Sequence, residues 1–378
     1  MAFSLPESLT KFFKQSSGAL FSEGQSVVGV DIGLSSVKLV QLRKEQGRGI
    51  LETYGELAIG PYVGLAVGQA GTATTDQIVQ VIKDLMKEAN VTATRGFFSI
   101  PLRSSLLTVM EIPAVDKLKL DDVVPLEARK YIPVPVSEVV LDWWLVPSRL
   151  PDEDPDPVTG SQTKKPLEVL VAAVHKDVMK QFQTISEQTG LVGGGFEIET
   201  FSAIRSAVRG DLTATAVLDL GASSTKMTIV DFGVIKRSHT INKGAQDITG
   251  ALSRSMNVDF AKAEEIKRKV GLVERVGEDT ILPIVSPVVE YVFSEVNKLM
   301  VNYGQSHARS IDKIILLGGG ALLQGLLPIA KERTGIEVIM GSPFNRVEAP
   351  AFLSPVLEQV GPSFAVATGL ALRGLQTI

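Results

Sequence analysis

One eight-residue pattern occurs twice in this chain, and it constrains the fold more than any other feature. Asp31-Ile-Gly33-Leu-Ser35-Ser36-Val-Lys38 recurs in the second half as Asp219-Leu-Gly221-Ala-Ser223-Ser224-Thr-Lys226, with Asp, Gly, both Ser and Lys in the same register. Each copy follows an apolar run (27–30 and 216–218) and precedes another (39–42 and 227–230). That order spells a strand, a tight Gly/Ser turn and a returning strand. Two equivalent hairpins so far apart require a duplicated domain, with the two turns facing one another across a cleft.

The chain has room for this. With 378 residues and 44% hydrophobic content it can bury two or three cores. Around the first hairpin the pattern is α/β: strand 47–58, helix 74–89, strand 95–100 and helix 201–208. The second half continues with helices 245–254, 259–270 and 287–305, a buried strand over 314–317, the glycine turn Gly318-Gly319-Gly320, and a last helix over 363–374. Between the halves runs strand 105–111, helix 118–131, strands 139–146 and 167–174, and helix 177–187, which reads as an inserted α+β subdomain. Residues 151–166, PDEDPDPVTGSQTKKP, are turn formers and charge, and are expected to form a mobile, solvated loop. The expected organisation is a tail over 1–26, domain I over 27–103 and 191–212, the insert over 104–190, domain II over 213–362 and a connector helix over 363–378.

Totals exclude several function classes. Lys and Arg number 38 against 42 Asp and Glu, a net charge of −4, so no electrostatic footprint for nucleic acid exists. With no cysteine, disulfides, thiolate metal sites and thiol nucleophiles are excluded. His175, His239 and His307 are far apart in sequence, which argues against a histidine metal site. The first residues lack the apolar core and cleavage site of a signal peptide. The apolar stretch 314–327 is broken by glycines and is shorter than the roughly 20 residues of a spanning helix. A cytoplasmic protein is expected, in contact with a membrane only through partners.

The repeated pattern also carries chemistry. Gly33 and Gly221 leave room for successive amides, from Leu34 and Ala222 onward, to converge on a phosphate oxygen, and Ser35, Ser36, Ser223 and Ser224 add hydroxyl donors. Lys38 and Lys226 stand where an ammonium reaches back to a β- or γ-phosphate. Asp31 and Asp219, at the strand ends, are placed to hold Mg²⁺ through its waters, since this hard cation takes few direct carboxylates. Gly318, Gly319 and Gly320 follow a strand and let backbone approach an adenine ring or an α-phosphate. Glu264 and Lys267, three apart on a helix, either bracket a ribose and base or form a solvated ion pair.

Two phosphate hairpins, a late GGG turn and a terminal Ala-Thr-Gly-Leu-Ala helix resemble the actin-like superfamily, with its ribonuclease H-like duplicated domains. The insert, together with GVDIGLSSVKLVQL, Tyr131-Ile132-Pro133 and its continuation, Gly195-Phe-Glu-Ile-Glu199 and Ala263-Glu264-Glu-Ile-Lys267, resembles the FtsA and PilM families, PilM most closely. The resemblance implies ATP and Mg²⁺ in the cleft. It makes helices 200–208 and 365–372 hinge connectors, with Glu199 facing the γ-phosphate; Asp31, Glu199 and Asp219 are the catalytic candidates. It further implies a role in type IV pilus assembly and twitching motility, peripheral to the inner membrane. The implied partners are the N-terminal cytoplasmic peptide of PilN, other platform and motor ATPase components, and further copies of the chain in an oligomer or ring. Helix 118–131 and Tyr131-Ile132-Pro133 are candidates for a peptide-groove wall, or else for core packing. Leu34, where the family usually has a small or hydroxyl residue, and Ala245, in what is often a Gly-Gly pair, leave nucleotide binding in place but argue against efficient turnover, so hydrolysis is expected to be slow at most. The FtsA type ends in a linker and an amphipathic membrane helix that this sequence does not show after Leu375. Other readings of the same superfold are an FtsA- or MreB-like filament protein and a small-molecule kinase.

Overall fold

The computed structural model describes residues 25–113, 120–146, 166–210, 212–273 and 281–376. Residues 1–24 of the expected tail 1–26, most of the loop 151–166 and the start of helix 118–131 therefore lie outside the described residues. The first lobe is built on β1 (Ser26–Ile32), β2 (Ser36–Glu45), β3 (Arg48–Ala58), α1 (Thr75–Glu88), β4 (Gly96–Ile100), and, after the insert, β8 (Gly195–Ile198) and α4 (Glu199–Ala207). The insert supplies β5 (Ser105–Ile112), α2 (Leu120–Ala128), β6 (Val139–Leu145), β7 (Leu167–His175) and α3 (Lys176–Thr189). The second lobe contains β9 (Thr215–Leu220), β10 (Thr225–Asp231), β11 (Val234–Ile241), α5 (Ala245–Met256), α6 (Phe260–Val270), α7 (Leu282–His307), β12 (Lys313–Leu317), α8 (Leu326–Thr334), β13 (Glu337–Met340) and α9 (Ser354–Val360). The last helix, α10 (Ala365–Gln376), returns to the first lobe.

The duplication is visible strand by strand. One sheet runs β3-β2-β1-β4-β8 and the other β11-β10-β9-β12-β13, the same order in the same sequence of roles. In both, the first two strands are antiparallel, and the central strand continues into a parallel pair. Even the register repeats: Asp31 lies opposite Lys38 in one hairpin and Asp219 opposite Lys226 in the other. The central strands are apolar on both faces because helices cover both, as parallel sheets demand.

Two helices join the lobes, and they touch almost without side chains between them. A Cβ at Gly369 of α10 would fall 1.8 Å from the Ser202 carbonyl oxygen of α4, and one at Gly29 of β1 would fall 2.1 Å from the Ala367 carbonyl. Only glycine permits this approach. The crossing is pinned by a fully buried cluster. Arg205 donates from two nitrogens to Glu197, each at 2.6 Å, and also to the Gly369 carbonyl at 3.1 Å. Arg373 adds a third cationic nitrogen 3.2 Å from Glu197. Burial opposes the Glu197 charge, but Arg205 and Arg373 outweigh it and hold its carboxyl below the ordinary range.

The insert forms a three-stranded antiparallel sheet, β5-β7-β6, with its own core on one face. Leu120, Val124 and Ala128 of α2 pack there on Met110, Ile112, Val169 and Val171, together with Ile132. Ile132 is thus a core residue, whereas Tyr131 is 45% exposed and Pro133 is exposed beside it. The opposite face of this sheet meets α4: the Trp144 and Phe201 rings lie 5.1 Å apart, tilted by 56°. Helix α3 buries Met179, Phe182 and Ile185 in the large core of the first lobe. An ion pair between Lys236 of β11 and Glu168 of β7, at 2.6 Å, ties the insert to the second lobe as well.

Candidate functional site

A cleft of about 660 Å³ separates the lobes, within the ordinary size range of ligand pockets. Both glycine turns line it, along with Asp31, Glu199, Asp219, Glu264, Lys267 and Gly318 to Gly320. The expected site residues Gly33, Leu34, Ser35, Ser36, Lys38, Gly221, Ala222, Ser223, Ser224 and Lys226 are all on its walls. In each turn the glycine N–H closes the loop on the carbonyl of the second serine, Gly33 on Ser36 and Gly221 on Ser224, both at 3.0 Å. The amides of Leu34, Ser35, Ala222 and Ser223 find no protein acceptor among the described residues, and all four residues line the cleft, forming a donor nest in each turn. Such nests suit an anion with several oxygens.

The charged groups are arranged more tightly than spacing alone suggests. Lys226 donates to Glu199 at 2.6 Å and to Asp219 at 3.3 Å. Burial works against its charge, yet Asp219, Glu199 and Asp31 hold the ammonium well above the ordinary lysine range. Asp31 accepts from the Ser99 hydroxyl at 2.8 Å, and that hydroxyl accepts from the Ile32 amide. Its carboxyl is pushed up to about 6, chiefly by burial, with Glu199 adding to the rise while Lys38, Lys226 and the Ser99 bond oppose it. Lys38 donates to Ser36 at 2.7 Å and pairs with Glu56 at 3.0 Å. Neither lysine therefore projects freely into the cleft; each is held against a carboxylate. Asp31 and Asp219 are two carboxylates in one cleft, and among the described residues no cluster of three metal-ligating side chains exists. This donor set fits a cation that keeps most of its waters, rather than an all-protein cage.

Glu264 and Lys267 are not a solvated surface pair. Their side chains are under 10% exposed and 2.6 Å apart, and the Thr249 hydroxyl donates to Glu264 at 2.6 Å. Burial raises Glu264, but Lys267, Thr249 and Arg268 reverse this and keep it ionised below its ordinary range; burial lowers Lys267. Gly318 follows β12 at φ 84, where a side chain would collide with Asp219 at 2.4 Å. A Cβ at Gly319 would meet nothing within 4 Å, so that backbone is open to the cleft. The turn leads into a single turn of 3₁₀ helix, Gly319–Leu322, and not directly into an α-helix.

Several cleft residues carry no signal in the repeat. Glu56 comes from β3, where it alternates with the buried face and looks like an ordinary strand carboxylate. Val67 and Gly68 lie in the loop after β3, and Arg268 and Gln324 come from the second lobe. Glu199 has a second partner that no spacing could reveal. Its other oxygen accepts from the Leu102 amide at 2.6 Å, at the entrance to the insert.

A solved structure titled "PilM-PilN type IV pilus biogenesis complex" is similar at 27% identity and a TM-score of 0.76, covering 92% of this chain and 98% of that one. The cell division protein FtsA of Neisseria meningitidis serogroup B is 24% identical, over 86% of this chain and 87% of the relative. The structures of the ethanolamine utilization protein EutJ from Carboxydothermus hydrogenoformans (TM-score 0.53, 15% identity) and of MreB 5 of Spiroplasma citri bound to AMPPNP (0.50, 12%) share the fold, each covering over 90% of both chains. The fold is therefore actin-like, as the repeat predicts. The family model described as type IV pilus assembly protein PilM matches residues 29–375, nearly the whole chain, and the chain belongs to that family.

Proposed function

We propose that the chain is a nucleotide-controlled docking protein of the type IV pilus inner-membrane platform. Its cleft takes Mg-ATP, and a groove between the first lobe and the insert takes the N-terminal cytoplasmic peptide of PilN. The similarity to a solved PilM-PilN complex supports the partner. The open amides of the two turns, the two aspartates and the open backbone at Gly319 support the ligand. In this reading Leu34 and Ser35 on one side, and Ala222 and Ser223 on the other, hold the phosphates by their amides. Asp31 and Asp219 orient waters of the cation. Mg²⁺, when bound, would neutralise phosphate charge. Glu264, Lys267 and the Gly318–Gly320 backbone bracket the ribose and base.

One observation carries the coupling between the two sites: Glu199 holds Lys226 of the second lobe with one oxygen and the first amide of the insert's entry, Leu102, with the other. A polyanion in the cleft competes with Glu199 for the Lys226 ammonium, because a phosphate is the stronger partner for a point charge. Releasing Lys226 frees Glu199 and alters the contact that sets the insert against the lobe. A ligand biases such an equilibrium only by its differential affinity for the two arrangements. Glu199 is committed to two partners, so it is poorly placed to orient an attacking water, and turnover is slow. Tyr131, Pro133 and the exposed Leu126 of α2 offer apolar contacts to the peptide, while Ile132 supports them from the core. Attachment to the membrane, to other platform or motor components and to further copies then follows from protein contacts. The reading is tested by titrating a labelled PilN N-terminal peptide against Glu199→Gln and wild-type protein, each with and without Mg-ATP. The nucleotide is expected to change peptide affinity in the wild type and to lose most of that effect in the variant; an equal effect in both would sink the coupling role.

A further inference from the structure

Residues 60–73 form a compact loop between β3 and α1, and its attachments are unusual. Both feet are tied to the first glycine turn: the Ile59 amide donates to the Ser35 carbonyl at 2.9 Å and the Gly71 amide to the Leu34 carbonyl at 3.1 Å. Within the loop, Leu65 donates to the Gly60 carbonyl and Gln69 to the Ala66 carbonyl, while Gly64 and Gly68 take left-handed backbone at φ 72 and 85. A side chain at Gly60 would collide with the Ala66 carbonyl at 2.4 Å. It is a compact, internally bonded Ω-loop.

The second turn carries an equivalent appendage. The α5 N-terminus hangs from it, with the Ala245 amide donating to Gly221 at 3.0 Å and the Gln246 amide to Ala222 at 2.9 Å. The two appendages meet across the cleft. The side-chain oxygen of Gln246 accepts from the Ala70 amide at 3.1 Å, and Gly68 lies against the Glu264 carboxyl, which a Cβ there would approach to 3.0 Å. Val67, half exposed, lines the cleft at the same place.

We propose that Gln246 is a latch that holds the cleft shut over its nucleotide and sets the rate of exchange. In the peptide units Leu34–Ser35, Gly221–Ala222 and Ala222–Ser223 the N–H belongs to a residue that lines the cleft, while the carbonyl of the same unit holds Gly71 of the loop or Ala245 and Gln246 of α5. A peptide unit is planar, so an anion that draws an amide moves the attached carbonyl and whatever hangs from it. The loop and α5 thus report the separation of the two turns, and the Gln246–Ala70 bond closes when they are together. Opening the lobes far enough to release a ligand must break it.

This inference rests on the nucleotide reading of the cleft, and one experiment separates the two. Full-length protein is loaded with a fluorescent mant-ATP and Mg²⁺, then chased with unlabelled ATP in a stopped-flow instrument, for wild type, Gln246→Ala and Gln246→Glu. Gln246→Ala removes the acceptor and is expected to release the probe about 2- to 10-fold faster, as the loss of one hydrogen bond dictates. Gln246→Glu keeps an acceptor oxygen at the α5 N-terminus and is expected to release at the wild-type rate. Unfolding midpoints of the three proteins without nucleotide check that all are folded, with Gln246→Ala lowered by no more than the loss of one hydrogen bond. Unchanged release from Gln246→Ala, or equally fast release from both variants, would overturn the latch and leave the nucleotide reading standing. Absence of saturable probe binding to wild type would overturn both.

Discussion

Asp31 shows how a buried carboxylate in the cleft costs stability. Its folded-state acidity is weakened to about 6, above the ordinary aspartate range, so the folded chain binds this proton more tightly than the unfolded one. The sign follows: stability without ligand rises as pH falls through 6 toward 4, and the ionised carboxylate is a liability at neutral pH. Asp31→Asn is expected to raise the unliganded unfolding free energy at pH 7.5 by about 1–3 kcal/mol and to flatten its rise on acidification. Thermal melts across pH 4.5–8 check this, and the same variant should bind Mg-ATP much more weakly. A lower melting point for Asp31→Asn at neutral pH would contradict the assignment. The lysines make the complementary point. Their types and spacing were legible in the repeat, but their partners, Glu56 for Lys38 and Glu199 for Lys226, lie on other strands and helices and appear only once the chain is folded.

At the scale of elements, most of the architecture could be read from the chain because it was written twice. Five matching residues per hairpin fix the central strands, and the helix α1 is announced by Thr74 and Gln77, which cap it reciprocally. Helix α7 was harder: Pro287 suggested the start, whereas the helix begins at Leu282 with Pro283 in its first turn. Pro287, the sixth residue of the helix, lacks the N–H that would bond the Pro283 carbonyl one turn back, and the helix runs through it. The glycine turn after β12 opens one turn of 3₁₀ helix, and Gly325 at φ 84 separates that turn from α8. The crossing of α4 and α10 yields the firmest prediction at this scale. Gly369→Ala must force the Ser202 carbonyl aside, and a loss of about 3 kcal/mol in unfolding free energy is expected by denaturant titration. Glu197→Gln at the same crossing removes the carboxylate that Arg205 and Arg373 share and is expected to cost about 3–5 kcal/mol.

For the whole molecule, the two lobes, the cleft and the insert form one mechanical chain. The helices α4 and α10 cross in near backbone contact, and the proposed closure would turn about this crossing. The insert is braced on the hinge through Trp144 and Phe201 and on the second lobe through Lys236 and Glu168. A change in lobe angle therefore alters the insert's setting. The most direct measurement is a fluorescence-anisotropy titration of the full chain with a labelled PilN N-terminal peptide at saturating Mg-ATP and without nucleotide. The account predicts saturable binding whose affinity differs about 5-fold or more between the two conditions, a coupling of about 1 kcal/mol or more. Equal affinities in a sample shown to bind Mg-ATP would contradict it.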